Sequence, residues 1–232
     1  MKRFLFCSLL LCFYTASAQT IDHSRWTKIL QTYVAENGVV NYKGLQGNQK
    51  SLQNYLIYLA ENAPQENWSK TEKMTYWINA YNAYTIQLIV DNYPTESIKD
   101  ISDPWEQTFF EIGGKKMSLN TIEHEILRPM GDPRIHFAIV CASESCPKLL
   151  NCAYESNTLS DQLDQAAREF INDPSKNNIT ESKITISKIF KWFKSDFPKE
   201  DAFIRYLKKY SAISISSDPK INYKTYNWSL NE

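Results

Sequence analysis

The segment from Ser69 to Val90 constrains the fold of this chain more than any other. Ser69-Lys70-Thr71-Glu72 has the form of a capping box, in which a serine hydroxyl and a glutamate three residues on satisfy each other's backbone N–H groups. An apolar pattern then runs from Met74 through Val90 until Pro94 stops it. Trp77, Ile78, Tyr81, Thr85, Leu88 and Ile89 form the stripe expected to be buried. The helix is apolar on most sides, which predicts a position deep in the domain.

Elements on either side follow from the same periodicity. Trp26, Ile29, Leu30, Tyr33 and Val34 predict a helix after Ser24 that closes at Gly38. Leu52, Tyr55, Leu56 and Leu59 predict another before Pro64. Residues 109–117 read as a hairpin turning at Gly113-Gly114, and Ser118 caps a helix from Leu119 to Leu127. The β-branched run over 135–142 reads as the best strand. Helices are expected at 147–155, 158–172, 187–195 and 200–210, with a strand at 183–187. Helices, then strands, then helices again give an α+β fold: a single helix-rich domain over 19–232 around a small antiparallel sheet.

The first eighteen residues read as a removable signal peptide. Lys2 and Arg3 are basic, Phe4 to Tyr14 are apolar, and Ala16-Ser17-Ala18 suits cleavage. The apolar run is shorter than the roughly 20 residues a membrane span needs. The expectation is an exported protein, periplasmic or secreted, with no stable membrane anchor after cleavage. The chain has 26 basic and 26 acidic residues, so no long-range field favours nucleic acid or anionic lipid. Cleavage would leave Cys141, Cys146 and Cys152, an odd number, so one disulfide plus one free thiol is as compatible with the sequence as three thiols. Spacings of five and six residues do not match a zinc ribbon. No glycine-rich phosphate loop, H-E-x-x-H or calcium loop occurs, so neither a metal nor another cofactor is expected.

Candidate chemistry gathers near residues 118–147. Cys146 stands directly before Pro147; were that proline to open a helix, the positive helix terminus would favour the thiolate. Glu123 falls on the apolar face of Leu119, Ile122 and Ile126, so it needs a partner inside the domain: Arg128 or Arg134 in a buried ion pair, or a catalytic histidine to orient. His124, one position around, is expected half-exposed beside the site. On a strand, His136 and Cys141 would point to opposite faces, and a strand of that length spans about 20 Å, which separates His136 from Cys146 unless the chain folds back. Ser143 and Ser145 read as turn and cap residues, since no G-x-S-x-G elbow surrounds them. Asn79 and Asn82 share a face of the long helix and either satisfy loop backbone or bind substrate and an oxyanion.

Four motifs resemble the domain-of-unknown-function 547 family: Tyr76 to Ala83, Ser118 to Arg128, Ile135 to Pro147, and Tyr226 to Asn231. Such domains are similar to papain-like and transglutaminase-like thiol enzymes. The order Glu123, His136, Cys146 in this chain would require a circularly permuted papain-like core. No catalytic residue is carried over from the family; the local chemistry gives the expectation of a cysteine hydrolase or acyl-transferase acting on a peptide-like amide, with peptide or cell-wall substrates following from export. In it Cys146 is the nucleophile, His136 the base and Glu123 its orienting carboxylate, with Asn79 or Asn82 at the oxyanion. The alternative is a non-catalytic binding domain in which Cys146 is bonded to Cys141 or Cys152.

Overall fold

The computed structural model describes residues 21–232; the signal-peptide reading of residues 1–18 lies outside the described residues. The long helix, α4 (Lys70–Asp91), is the axis of the fold, and every residue from Met74 to Val90 is buried. Its capping box forms as the sequence requires: Ser69 N–H donates to Glu72 Oε2 at 2.7 Å, and Glu72 N–H donates to Ser69 Oγ at 3.2 Å. Against it pack α2 (Tyr42–Gly47) and α3 (Lys50–Glu61), and α1 (Ser24–Tyr33) packs on those two. Tyr76 donates to the Leu59 carbonyl at 2.6 Å, tying α4 to α3.

The hairpin β1 (Phe110–Ile112) and β2 (Lys115–Met117) turns at Gly113 and Gly114, both with positive φ (59° and 76°), a conformation glycine adopts without steric cost. A second sheet joins β3 (Asn178–Ile179), β4 (Lys183–Ile186) and β5 (Lys220–Tyr223). β3 is antiparallel to β4, but β5 runs parallel to it, so this sheet is mixed rather than antiparallel. α5 (Leu159–Asn172), α6 (Ile189–Trp192) and α7 (Asp201–Tyr210) complete the domain, which is α+β.

Two apolar clusters result. One surrounds α4; the other gathers Phe137, Phe170, Phe190 and Phe197 beside the second sheet. Cys141 and Trp228 pack against both, which places the cysteine loop at their junction.

Three local expectations are corrected. No strand forms over 135–142. Asp132 caps a 3₁₀ turn over Pro133–Phe137, and the chain beyond is irregular. Its backbone groups are satisfied by a side chain instead of a ladder: Asn82 donates to the Ala138 carbonyl at 2.9 Å and accepts the Val140 N–H at 3.0 Å. A buried apolar run has the same sequence signature either way. No helix follows Pro147. Residues 147–155 are irregular, with a bend at 151–152, and Asn79 holds both the N–H and the carbonyl of Tyr154, at 3.0 and 2.9 Å. Finally, the predicted helix after Ser118 is a π-helical turn over Thr121–Leu127, an irregularity concentrated at functional sites.

Candidate functional site

A cavity of about 390 Å³ opens at the junction of the two clusters. Its wall contains Cys141, Cys146, His136, Glu123, His124 and Arg128, with aromatic rings at its mouth. The chain reaches this arrangement through the turn after Cys141. Ala142 is fully buried with φ +54°, a left-handed conformation that costs a non-glycine residue roughly 1–3 kcal/mol. The C-terminal segment clamps the turn: Glu144 N–H donates to Ser229 O at 2.8 Å, Ser145 N–H to Asn227 O at 3.2 Å, and Asn231 N–H to Ala142 O at 3.3 Å. The same clamp carries Tyr226 and Trp228 into the cavity wall.

The reversal brings two sulfur atoms into contact. Cys141 Sγ and Cys146 Sγ are 2.6 Å apart, and the Cys141 N–H donates to Cys146 Sγ at 2.8 Å. Tyr226 and Ser143 hydroxyls lie 3.2 Å from Cys141 Sγ. Burial disfavours charge on both thiols, yet their environments differ. Cys141 is pushed well above the usual thiol range by burial and by its neighbour. Burial also opposes charge on Cys146, but hydrogen bonds from the Cys141 thiol and the Cys141 N–H lead the contributions that outweigh it and bring the thiol below its ordinary value. The favoured thiolate therefore resides on Cys146. Its stabilisation comes from these local donors; the helix terminus expected at Pro147 does not exist.

His136 is buried, with its ring stacked 4.0 Å from that of Phe193. Because no strand forms, the parity that would have separated it from Cys141 lapses, and both line one cavity. Its carboxylate partner is Asp196, not Glu123: His136 Nε2 lies 2.8 Å from Asp196 Oδ2. Arg128 grips the same carboxylate at two points, 2.6 and 2.8 Å. Burial raises the Asp196 pKa, but Arg128 and His136 hold it well below the carboxylate range, so it is ionised. His136 is pulled down to about 4 by burial, against the upward pull of Asp196. At neutral pH the imidazole is uncharged, and an ionised carboxylate at Nε2 requires the proton there. Nδ1 is thereby left as the acceptor, with no protein partner among the described residues.

Glu123 is nine-tenths buried and accepts a hydrogen bond from Tyr81 at 2.9 Å. Burial raises it to about 7, despite opposing contributions from Tyr81 and Arg128. It is therefore a protonated acid in the cavity wall over much of the acidic range. Neither Arg128 nor Arg134 pairs with it; Arg134 binds Asp132 and Asp164. His124 is exposed at the rim, held by Arg128, and burial with the nearby guanidinium lowers its pKa. Asn79 and Asn82 lie outside the cavity wall, and the backbone groups they hold occupy them, so the oxyanion role assigned to them has no geometric support. Ser143 is buried beside Cys141, and Ser145 accepts the Asn227 N–H.

Asp196 carries no sequence signal of its own: it sits in a lysine-rich run after a short helix, and only the packing of that run brings it to His136. Tyr226 and Trp228 are visible in the sequence only as part of a terminal motif. Among the described residues no group of three or more His, Cys, Asp or Glu side chains could hold a metal ion, and no helix is long and apolar enough to cross a membrane.

Comparison with known proteins agrees with the resemblance drawn from the motifs. Residues 65–171 match the model of the family described as "Protein of unknown function, DUF547". No curated protein and no solved structure matches the chain. The matched segment contains Glu123, His136, Cys141 and Cys146; Asp196, Tyr226 and Trp228 lie beyond it.

Proposed function

We propose that this protein is an exported thiol hydrolase or acyl-transferase acting on a peptide-like amide. The observation that supports this most is the His136–Asp196 pair in the same cavity as Cys146, with His136 Nδ1 unpartnered among the described residues. In this reading Nδ1, which makes no hydrogen bond to Cys146 in the resting structure, accepts the Cys146 thiol proton when substrate is bound and the sulfur attacks its carbonyl carbon. Asp196 stabilises the imidazolium that forms. The carbonyl electrons move to oxygen, where the neutral Glu123 carboxyl is a donor suited to an oxyanion. Collapse of this intermediate expels the amine, which takes its proton from Nδ1. Water, or an acceptor amine, then gives a proton to Nδ1 and attacks the thioester, and the proton returns to sulfur. The leader-like first eighteen residues support export, where peptide and cell-wall amides are available substrates.

The test is turnover of a panel of peptide amides by reduced protein, with intact-mass detection of an acyl-enzyme. Cys146→Ala and His136→Ala should each abolish amine release and the adduct. Undiminished turnover by Cys146→Ala would overturn the proposal. A second reading, a binding domain closed by a Cys141–Cys146 disulfide, is favoured by the contact between the two sulfurs. Thiol counting on native protein with and without reductant separates the two: the enzyme requires a free Cys146.

A further inference from the structure

The cavity mouth has a chemistry that the proposed reaction leaves unused. Trp105, Trp192 and Trp228 line it. Their rings form one connected cluster, with Trp192 and Trp228 stacked at 5.7 Å and Trp105 edge-on to Trp228 at 5.8 Å. Trp192 is 45% exposed, unusual for a side chain with so much apolar area. Indole faces carry the negative side of a quadrupole and attract cations best among the aromatic rings.

The charged groups that line the cavity itself have one sign to spare. Arg128 is neutralised by its two-point contact with Asp196. His124 and His136 are both shifted towards their neutral forms. Glu106 stands at the rim, exposed, with no ion-pair partner among the described residues, and Glu123 lies deeper in the wall. An anionic ligand would meet Glu106 with no free cation, among the described residues lining the cavity, to hold it. A cation from within the protein already uses one of these rings: Lys99 Nζ stands 5.4 Å from the Trp228 centroid. The exposed Trp192 and the half-buried Trp105 are left for a ligand.

We infer that the mouth is a subsite for a cationic amine carried near the scissile amide, seated on the indole faces of Trp105 and Trp192 with Glu106 as its counter-ion. The amine is either a lysine-type side chain or a free amino terminus. The inference rests on the proposed reaction only for the position of the scissile bond; the subsite can be measured without turnover.

The experiment follows tryptophan emission and calorimetric heat as full-length Cys146→Ala protein is titrated with three probes. These are Nα-acetyl-lysinamide (side-chain amine), norleucinamide (free α-amine) and Nα-acetyl-norleucinamide (no charge), with a chitin oligomer as a neutral sugar control. The expected result is that one cationic probe binds about tenfold more tightly than the uncharged probe. Glu106→Gln and Trp192→Ala should each remove most of that preference. Which amine gains identifies the source of the cation. Equal binding of charged and uncharged probes, tighter binding of the sugar, or a preference that survives both substitutions overturns the inference. Charge-selective binding with no amide turnover by the wild type would refute the reaction and leave the subsite standing; charge-blind binding with turnover would do the reverse.

Discussion

Replacing Glu123 by glutamine should stabilise the protein at neutral pH and have almost no effect near pH 4. The buried carboxyl titrates at about 7 in the folded chain against a reference of 4.5. Below the lower value both folded and unfolded states carry the proton, and nothing is lost. Between the two, the unfolded chain ionises while the folded chain holds its proton, so the native state falls behind as pH rises. Above about 7 the penalty levels off at about 3 kcal/mol, since each tenfold difference in proton affinity between the two states corresponds to about 1.4 kcal/mol. Glutamine has no such titration, and its amide oxygen can accept the Tyr81 hydroxyl in the same place. For a chain of this size, 1 kcal/mol corresponds to about 2–4 °C in Tm, so the variant should gain roughly 6–12 °C at pH 8. Thermal unfolding of both proteins at pH 4 and pH 8 measures this, because titrations common to the two cancel in the difference. A gap independent of pH, or a less stable variant at pH 8, would refute the reasoning that burial dominates at Glu123.

Other substitutions separate structural from chemical roles. Asn82→Ala leaves the buried Ala138 carbonyl and Val140 N–H unpaired, at about 1–3 kcal/mol each, so urea unfolding should show a loss of about 2–6 kcal/mol; unchanged stability would return Asn82 to the candidate oxyanion donors. Asp196→Asn removes the carboxylate that raises His136 against burial, and NMR should find the ring titrating at still lower pH. Cys141→Ala deletes the thiol donor to Cys146 but keeps the N–H, so the pH profile of Cys146 alkylation should move upward. An unmoved profile would assign the effect to the backbone donor alone.

The sequence is most legible where local rules and burial agree. The capping box, the all-round apolar α4 and the Gly113-Gly114 hairpin can be read directly, because each element's own residues specify it. Residues 135–155 cannot be read this way. Their backbone is held by Asn79 and Asn82 from another element, so periodicity predicts a strand and a helix where neither exists. Glu123 is identifiable as an inward carboxylate from its helical face, but its actual neighbour, Tyr81, and the histidine's actual partner, Asp196, are contacts across 42 and 60 residues of chain. Patterning within one element carries no information about contacts of that range. Cys146 stands out in the sequence for a helix terminus that does not form; the structure replaces it with the thiol and N–H of Cys141 as donors.

The most direct measurement is the pH dependence of iodoacetamide alkylation of native wild-type protein, kept under mild reductant and mapped peptide by peptide. If Cys146 holds the favoured thiolate in a cavity open to reagent, it should react fastest of Cys141, Cys146 and Cys152, with a midpoint below that of the same thiol in the unfolded chain. A Cys146 that reacts more slowly than Cys152, or only above its unfolded-chain midpoint, would contradict the account.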